Sequence, residues 1–304
     1  MSHVQSVKRF FGLAPKHSGM VVTRVGSLSA YETHVRSMTK THHDRWVTEL
    51  ELSRSGTEFS TPGRCFPCQK DVEFKTDFQY TTTLVNGQLV PNWRERVLCP
   101  CQLNNRTRAS IQFLEETLGA QKRDSVYVAE QVTPLYEMLK KRFPKLVGSE
   151  YLGDTVEFGK TNERGVRNES ITKLTFNDNS FQFVLNFDVL EHIPNPEDGL
   201  KEIYRVLTKG GKLLLSVPFL PMQQDTVVRA RISSNGEVEH LLEAQYHGDP
   251  VSTAGCLCFQ DFGWDLLDQM RAIGFVDVNM LLYWSAEYGY YGVEQMMIVA
   301  TKHR

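Results

Sequence analysis

The chain has 304 residues, 41% of them hydrophobic and 11% aromatic, enough to bury a sizeable core and too much for a disordered or fibrous protein. Its formal net charge of -2 gives no reason to expect wholesale binding to nucleic acid or to an acidic membrane surface. No apolar run reaches the roughly 18 residues that a bilayer span needs, and the N-terminus lacks the apolar core of a secretion signal, so the expected location is the cytoplasm. The alternative is an organelle transit peptide, because Lys8, Arg9, Lys16 and Arg24 occur in the first 31 residues without an acid.

Residues 1–60 read as a weakly structured tail (1–28) followed by a helix over 29–52, whose His34, His42 and His43 are expected on a solvated surface. Residues 61–108 form a separate small module, punctuated by Pro62-Gly63, Pro67, Asn86-Gly87, Pro91 and Pro100, with a strand-like run over 78–84 and little core of its own. Cys65-Phe66-Pro67-Cys68 and Cys99-Pro100-Cys101 offer four thiolates as C-x2-C and C-x-C knuckles. That set can close a tetrahedral zinc site and staple such a segment, so the ion would be structural Zn2+; an iron–sulfur cluster is the alternative. Cys256 and Cys258 have no matching pair and read as buried core.

Residues 109–304 alternate strand-like and helical patterns. The predicted elements are a helix over 107–118, a strand over 125–129, a helix over 134–142, strands over 146–151 and 166–168, and a buried strand over 183–187. An acidic loop (188–196) leads to a helix over 196–207 that Lys209-Gly210-Gly211 stops, and then to a strand over 212–217. A helix over 262–273 and strands over 275–282 and 295–301 complete an α/β domain whose last two strands should pair antiparallel.

The stretch 180–218, SFQFVLNFDVLEHIPNPEDGLKEIYRVLTKGGKLLLSVP, resembles the class I S-adenosylmethionine-dependent methyltransferase family around its fourth and fifth strands. The resemblance implies a Rossmann-like seven-stranded mixed sheet with helices on both faces, an antiparallel final strand, and S-adenosyl-L-methionine as cofactor. Glu150 lies 20 residues after Glu130, the separation of a ribose-binding acid in a βαβ unit, and Tyr151 could pack on the adenine. Glu169 and Ser170 fall where the family contacts the adenine amine. Asn186 and Phe187 would close the pocket, with Asp188 aimed at the reaction centre. One feature departs from the family: residues 128–134, VAEQVTP, contain no glycine where an acid and a glycine-rich turn are usual. Glu130 is then expected to meet the methionine ammonium, with Thr133 and the free amides before Pro134 holding its carboxylate.

Methyl transfer to a hydroxyl requires proton removal, a task suited to histidine. His247, oriented by Asp249 or Asp188, is the expected base and His192 its rival. Arg229 and Arg231, near an extra loop over 219–235, could clamp an anionic or sugar-like acceptor. The expected function is methyl transfer to a hydroxyl or amine of a small molecule or sugar. A non-catalytic methyltransferase-like protein that docks a partner through its zinc module is the alternative. Nucleic acid is disfavoured by the net charge, although Arg94, Arg96, Arg106 and Arg108 cluster at the second knuckle.

Overall fold

A computed structural model of the protein describes residues 19–81, 83–248 and 255–304. The chain folds into two compact units. The larger comprises Arg24–Lys40, Ser110–Leu281 and Met296–Arg304; the smaller comprises the described residues up to Thr23, with Thr41–Ala109 and Leu282–Gln295. No helix among the described residues is long and apolar enough to cross a membrane.

The sheet has seven strands: β1 (Val21–Val25), β2 (Val126–Val128), β3 (Leu146–Gly148), β4 (Phe181–Phe187), β5 (Leu207–Ser216), β6 (Phe275–Ser285) and β7 (Tyr290–Lys302). Their order across the sheet is β1, β6, β7, β5, β4, β2, β3. The pairs β3/β2, β2/β4 and β4/β5 are parallel, and β7 runs antiparallel to β5. The sheet is therefore Rossmann-like and mixed, as the resemblance implies.

The parallel strands are short apolar runs because both faces are covered. Val126, Tyr127 and Val128 are all buried, as are Val184 and Leu185 of β4 and Leu213 to Leu215 of β5. The helix Pro196–Val206 buries Leu200, Ile203 and Val206 on one face, and Pro134–Arg142 buries Leu135 and Leu139.

Several local readings change. Residues 166–168 do not form a strand; Asn168 makes only an isolated parallel bridge to Glu150, because its amide side chain bonds locally to Leu152 N and Gly153 O. The seventh strand is instead Val21–Val25, inside the segment expected to be weakly structured, where the β-branched run VVTRV supplies strand propensity. The glycine pair does not stop the helix. Leu207 is already extended and begins β5, and Gly210 (φ 76°) sits in a bulge where residues 208–211 lie opposite Gln182 alone. The helix expected over 29–52 is two helices, Leu28–Ser37 and Thr39–Leu52.

In the smaller unit, Phe59–Cys65 and Lys70–Thr76 pair as an antiparallel hairpin, with Phe66 to Gln69 as its turn. Of the run expected over 78–84, the described residues 78–81 and 83 are not in a strand and Leu84 begins a two-residue strand, Leu84–Val85, paired with Gln88–Leu89; the longer pairing is between the alternating residues before and after the first knuckle. Contrary to expectation this unit has a core, built from Cys65, Phe74, Trp93, Val97, Cys99 and Tyr291. Tyr291 arrives from the far end of the sequence, which is why the N-terminal segment looked too poor in apolar residues. A buried carboxylate ties the same pieces together: Glu49 Oε1 accepts from Trp284 Nε1 (2.9 Å), Gly292 N (2.8 Å) and Val293 N (2.9 Å). His42 is not simply solvated, since its Nε2 lies 3.1 Å from Glu294 Oε2.

Candidate active site

The carboxyl ends of β2, β3 and β4 converge, as expected of a ligand site in an open α/β sheet. The glycine-free loop after β2 is shaped by an acid. Glu150 Oε1 accepts hydrogen bonds from the amides of Gln131 (2.6 Å) and Val132 (2.9 Å), and Gln131 in turn bonds Gly165 O (2.9 Å) and Arg167 N (2.8 Å) through its side chain. The amides expected to be open to the cofactor's carboxylate are therefore held by Glu150, because a buried carboxylate needs donors and these are within reach. Thr133 caps the helix Pro134–Arg142, accepting from Tyr136 N at 3.2 Å, and its hydroxyl donates to Glu130.

The close approach that glycine usually provides in this loop has moved to the neighbouring strand. A Cβ on Gly148 would lie 2.4 Å from the Tyr136 ring and 2.7 Å from the Glu130 carbonyl oxygen. Tyr151, next along, is 63% exposed and stacks on Phe158 with ring centroids 6.3 Å apart.

Glu169 is buried rather than presented to a ligand. Its carboxylate accepts from Arg167 Nε (2.8 Å), Thr175 N (2.9 Å) and Thr175 Oγ1 (2.5 Å), so it fixes its own loop; Ser170 pairs with the Thr172 hydroxyl at 2.8 Å. On β4, Asn186 is fully buried, yet neither its amide oxygen nor its nitrogen has a hydrogen-bond partner. Phe187 is buried beside it. Asp188 has a left-handed backbone (φ 53°), and its Oδ1 accepts from Ser216 Oγ at 3.0 Å.

The structure brings His192 and His247 together, their rings edge to face at 5.2 Å. Glu191 lies against both: His192 Nε2 is 3.8 Å and His247 Nδ1 3.5 Å from its Oε1. The acid at His247 is thus Glu191, a residue the sequence reading passed over; Asp249 lies outside the described residues. His192 Nδ1 sits 2.9 Å from Leu257 O, and His247 Nε2 sits 3.3 Å from Gln245 Nε2. Burial pushes the Glu191 carboxyl above its ordinary range, against the pull of His247. Hydrogen bonding to Cys258 and then to Glu191 raises His247 to about 10. Burial opposes ionisation of Cys258, but His192 and His247 together hold its thiol below the ordinary value. Cys258 is therefore more than core filling.

The extra segment does not offer free arginines. Arg229 pairs with Asp261 at 2.8 Å, and Arg231 pairs at 2.8 Å with Glu239, which lies directly opposite it across a short antiparallel pair. His240 is exposed on one of these strands.

In the smaller unit Cys65, Cys68, Cys99 and Cys101 converge, their sulfurs all within 4.8 Å of one another. In both knuckles the residue after the second cysteine, Gln69 (φ 55°) or Gln102 (φ 70°), takes the left-handed turn that folds the chain back on the thiols. Four thiolates in one pocket fit a tetrahedral ion. Arg108 is fully buried, with its guanidinium 3.9 Å from the centre of the Phe74 ring and bonded to Val97 O (3.2 Å) and Gly289 O (3.1 Å). Arg96 pairs with Asp77, and Arg94 and Arg106 with Glu95, so these arginines are committed within the fold rather than arrayed as an open basic face.

Residues 133–215 match the family model described as a methyltransferase domain. Among solved structures the chain is similar to a protein taken to be an S-adenosylmethionine-dependent methyltransferase from Listeria monocytogenes, at 14% identity over 64% of this chain and 100% of that one, TM-score 0.38. It is similar to an S-adenosylmethionine-dependent methyltransferase from Methanosarcina mazei (14% identity, 62% and 96% covered, TM-score 0.37). It is also similar to the 1,6-didemethyltoxoflavin-N1-methyltransferase of Burkholderia thailandensis (16% identity, 65% and 78% covered, TM-score 0.36). No curated protein matches the sequence. The matched segment runs from Thr133, at the end of the first loop, into β5, and over that segment the chain matches a methyltransferase domain.

Proposed function

We propose that this domain transfers the methyl group of S-adenosyl-L-methionine to a hydroxyl or amine of a small molecule or sugar, bound beside Asp188 and the His192–His247 pair. The observation that carries this reading is the grouping of Glu191, His192 and His247 just past the carboxyl end of β4, the strand that carries Asn186 with its unbonded, buried amide. Such an amide calls for a polar ligand, which a nucleoside or its amino-acid tail supplies.

The cofactor, when bound, supplies a methyl group on a sulfonium. The chain's residues do the rest. Glu150 holds the first loop in shape and grips the ribose; Tyr151 and Phe187 flank the adenosyl group; Ser170, on the loop that Glu169 fixes, meets the adenine amine. Glu130, braced by Thr133, meets the ammonium. Asp188 orients the acceptor, whose proton passes to His247 once that imidazole is deprotonated, a state its raised pKa places on the alkaline side, with Glu191 balancing the charge gained. The four thiolates of the smaller unit would hold a structural Zn2+, and a cluster of thiolate ligands suits a reducing compartment, the cytoplasm.

One observation favours a second reading, a non-catalytic partner-binding protein: the amides of Gln131 and Val132 already have an acceptor in Glu150. Calorimetry with S-adenosylmethionine separates the two. Binding that weakens in Glu150→Ala supports the enzyme, and no binding to the parent protein supports the alternative. Screening hydroxyl and amine acceptors then identifies the substrate class.

A further inference from the structure

The group around His192 contains a second set of metal donors. Ligand atoms of His192, His247 and Cys258 lie within 4.8 Å of one another, and Cys258 is 1% exposed. His192 Nδ1 faces the Leu257 carbonyl at 2.9 Å and so carries the proton, which leaves the Nε2 lone pair available. A backbone carbonyl behind a ligating imidazole is the usual device for fixing its tautomer. Glu191 gives an independent sign that something is to be held here: it is fully buried, and its carboxylate meets His247 Nδ1 and His192 Nε2 only through long contacts of 3.5 and 3.8 Å, with no closer donor on either oxygen. A buried carboxylate held only by long contacts to two imidazoles is costly unless a cation joins the group.

We infer that His192, His247 and Cys258 bind a divalent metal ion, zinc by their donor set, with Glu191 compensating its charge. One thiolate and two imidazoles are borderline-soft donors that suit zinc over magnesium or calcium, and three protein ligands leave a fourth position open. The ligands come from the turn after β4, from His247 and from the segment beyond residue 254, so metal binding would pin the segment between β5 and the helix Asp265–Ile273 to the sheet. In the loaded protein His247 is a ligand and does not take the acceptor's proton, so the base role given to it above belongs to the metal-free protein; that base role rests on the methyl-transfer reading, whereas metal binding does not.

The test is zinc stoichiometry of the full-length protein after chelator treatment and reloading, measured by mass spectrometry of the metal, with cobalt substitution as the spectroscopic check. Two equivalents are expected in the parent, one for each unit, falling to one in His192→Gln and in His247→Gln with far-ultraviolet circular dichroism unchanged. His247, with a side chain 30% exposed, is the substitution least able to disturb folding. One equivalent in the parent, or two retained in either variant, overturns the site. Because this readout involves neither cofactor nor acceptor, its failure is distinguishable from failure of the methyl-transfer reading.

Discussion

Glu150 reaches from the end of β3 to the amide of Gln131, 2.6 Å away, and so holds the glycine-free loop in shape with a carboxylate. Replacing it with Ala leaves the amides of Gln131 and Val132 without their acceptor in a part-buried turn. The loss of charged hydrogen bonds of this type costs about 1.5–3 kcal/mol. Urea unfolding of Glu150→Ala should show that loss together with weakened cofactor binding; unchanged stability would mean that the loop holds itself.

Gly148 has no room for a side chain. In Gly148→Ala the new methyl meets both the Tyr136 ring and a backbone oxygen, and only the ring can move. Overpacking of this sort costs about 1–3 kcal/mol. The double variant Gly148→Ala/Tyr136→Leu should recover part of it, so a double-mutant cycle by thermal unfolding should give a coupling of about 1 kcal/mol. Additivity of the two changes would show that the ring is not the obstacle.

Asn186 provides a stability–function contrast. Its unbonded buried amide costs free energy in the ligand-free protein, so Asn186→Leu should leave the melting temperature unchanged or raise it, while S-adenosylmethionine affinity falls at least tenfold, about 1.4 kcal/mol. A variant that is destabilised and binds normally would mark Asn186 as purely structural.

Removal of the structural metal should act on the smaller unit. With strong chelator, or in Cys65→Ser, near-ultraviolet dichroism from the aromatic core containing Trp93 and Tyr291 should collapse, because such sites supply folding free energy directly. A chelator-insensitive spectrum would show that the aromatic core suffices alone.

Asp77 and Arg96 give the acid-side signature. The Arg96 guanidinium holds the Asp77 carboxyl below its ordinary value, so the pair's contribution is present above the unfolded carboxylate pKa and is lost as pH falls through the lower folded value. The pair is partly exposed and worth only about 0.5–1 kcal/mol. Asp77→Asn should therefore lose that amount at pH 7 and lose progressively less, relative to the parent, as pH drops below about 4. An equal deficit at all pH values would assign the effect to packing.

The order of strands and helices was readable because residues 180–218 carry their own periodicities, apolar runs for buried strands and a 3-4 spacing for the helix between them. The four zinc-type cysteines were readable from spacing alone. What escaped was settled by residues distant in sequence. Glu191 carried no signal of its own in the sequence, yet it faces His247 from 56 positions away. The glycine missing from the first loop lies at Gly148, visible only once Tyr136 is placed over it. The strand Val21–Val25 is short, and its β-branched run becomes a strand only through its place at the edge of the sheet.

That Leu282–Gln295 belongs with Thr41–Ala109 means the cysteine-bearing unit is not a detachable prefix. A gene cut at codon 110 would not release an intact catalytic half, because Trp284 and Tyr291 would be stranded in water without Phe74, Trp93 and Glu49, a sticky aromatic tip inviting aggregation.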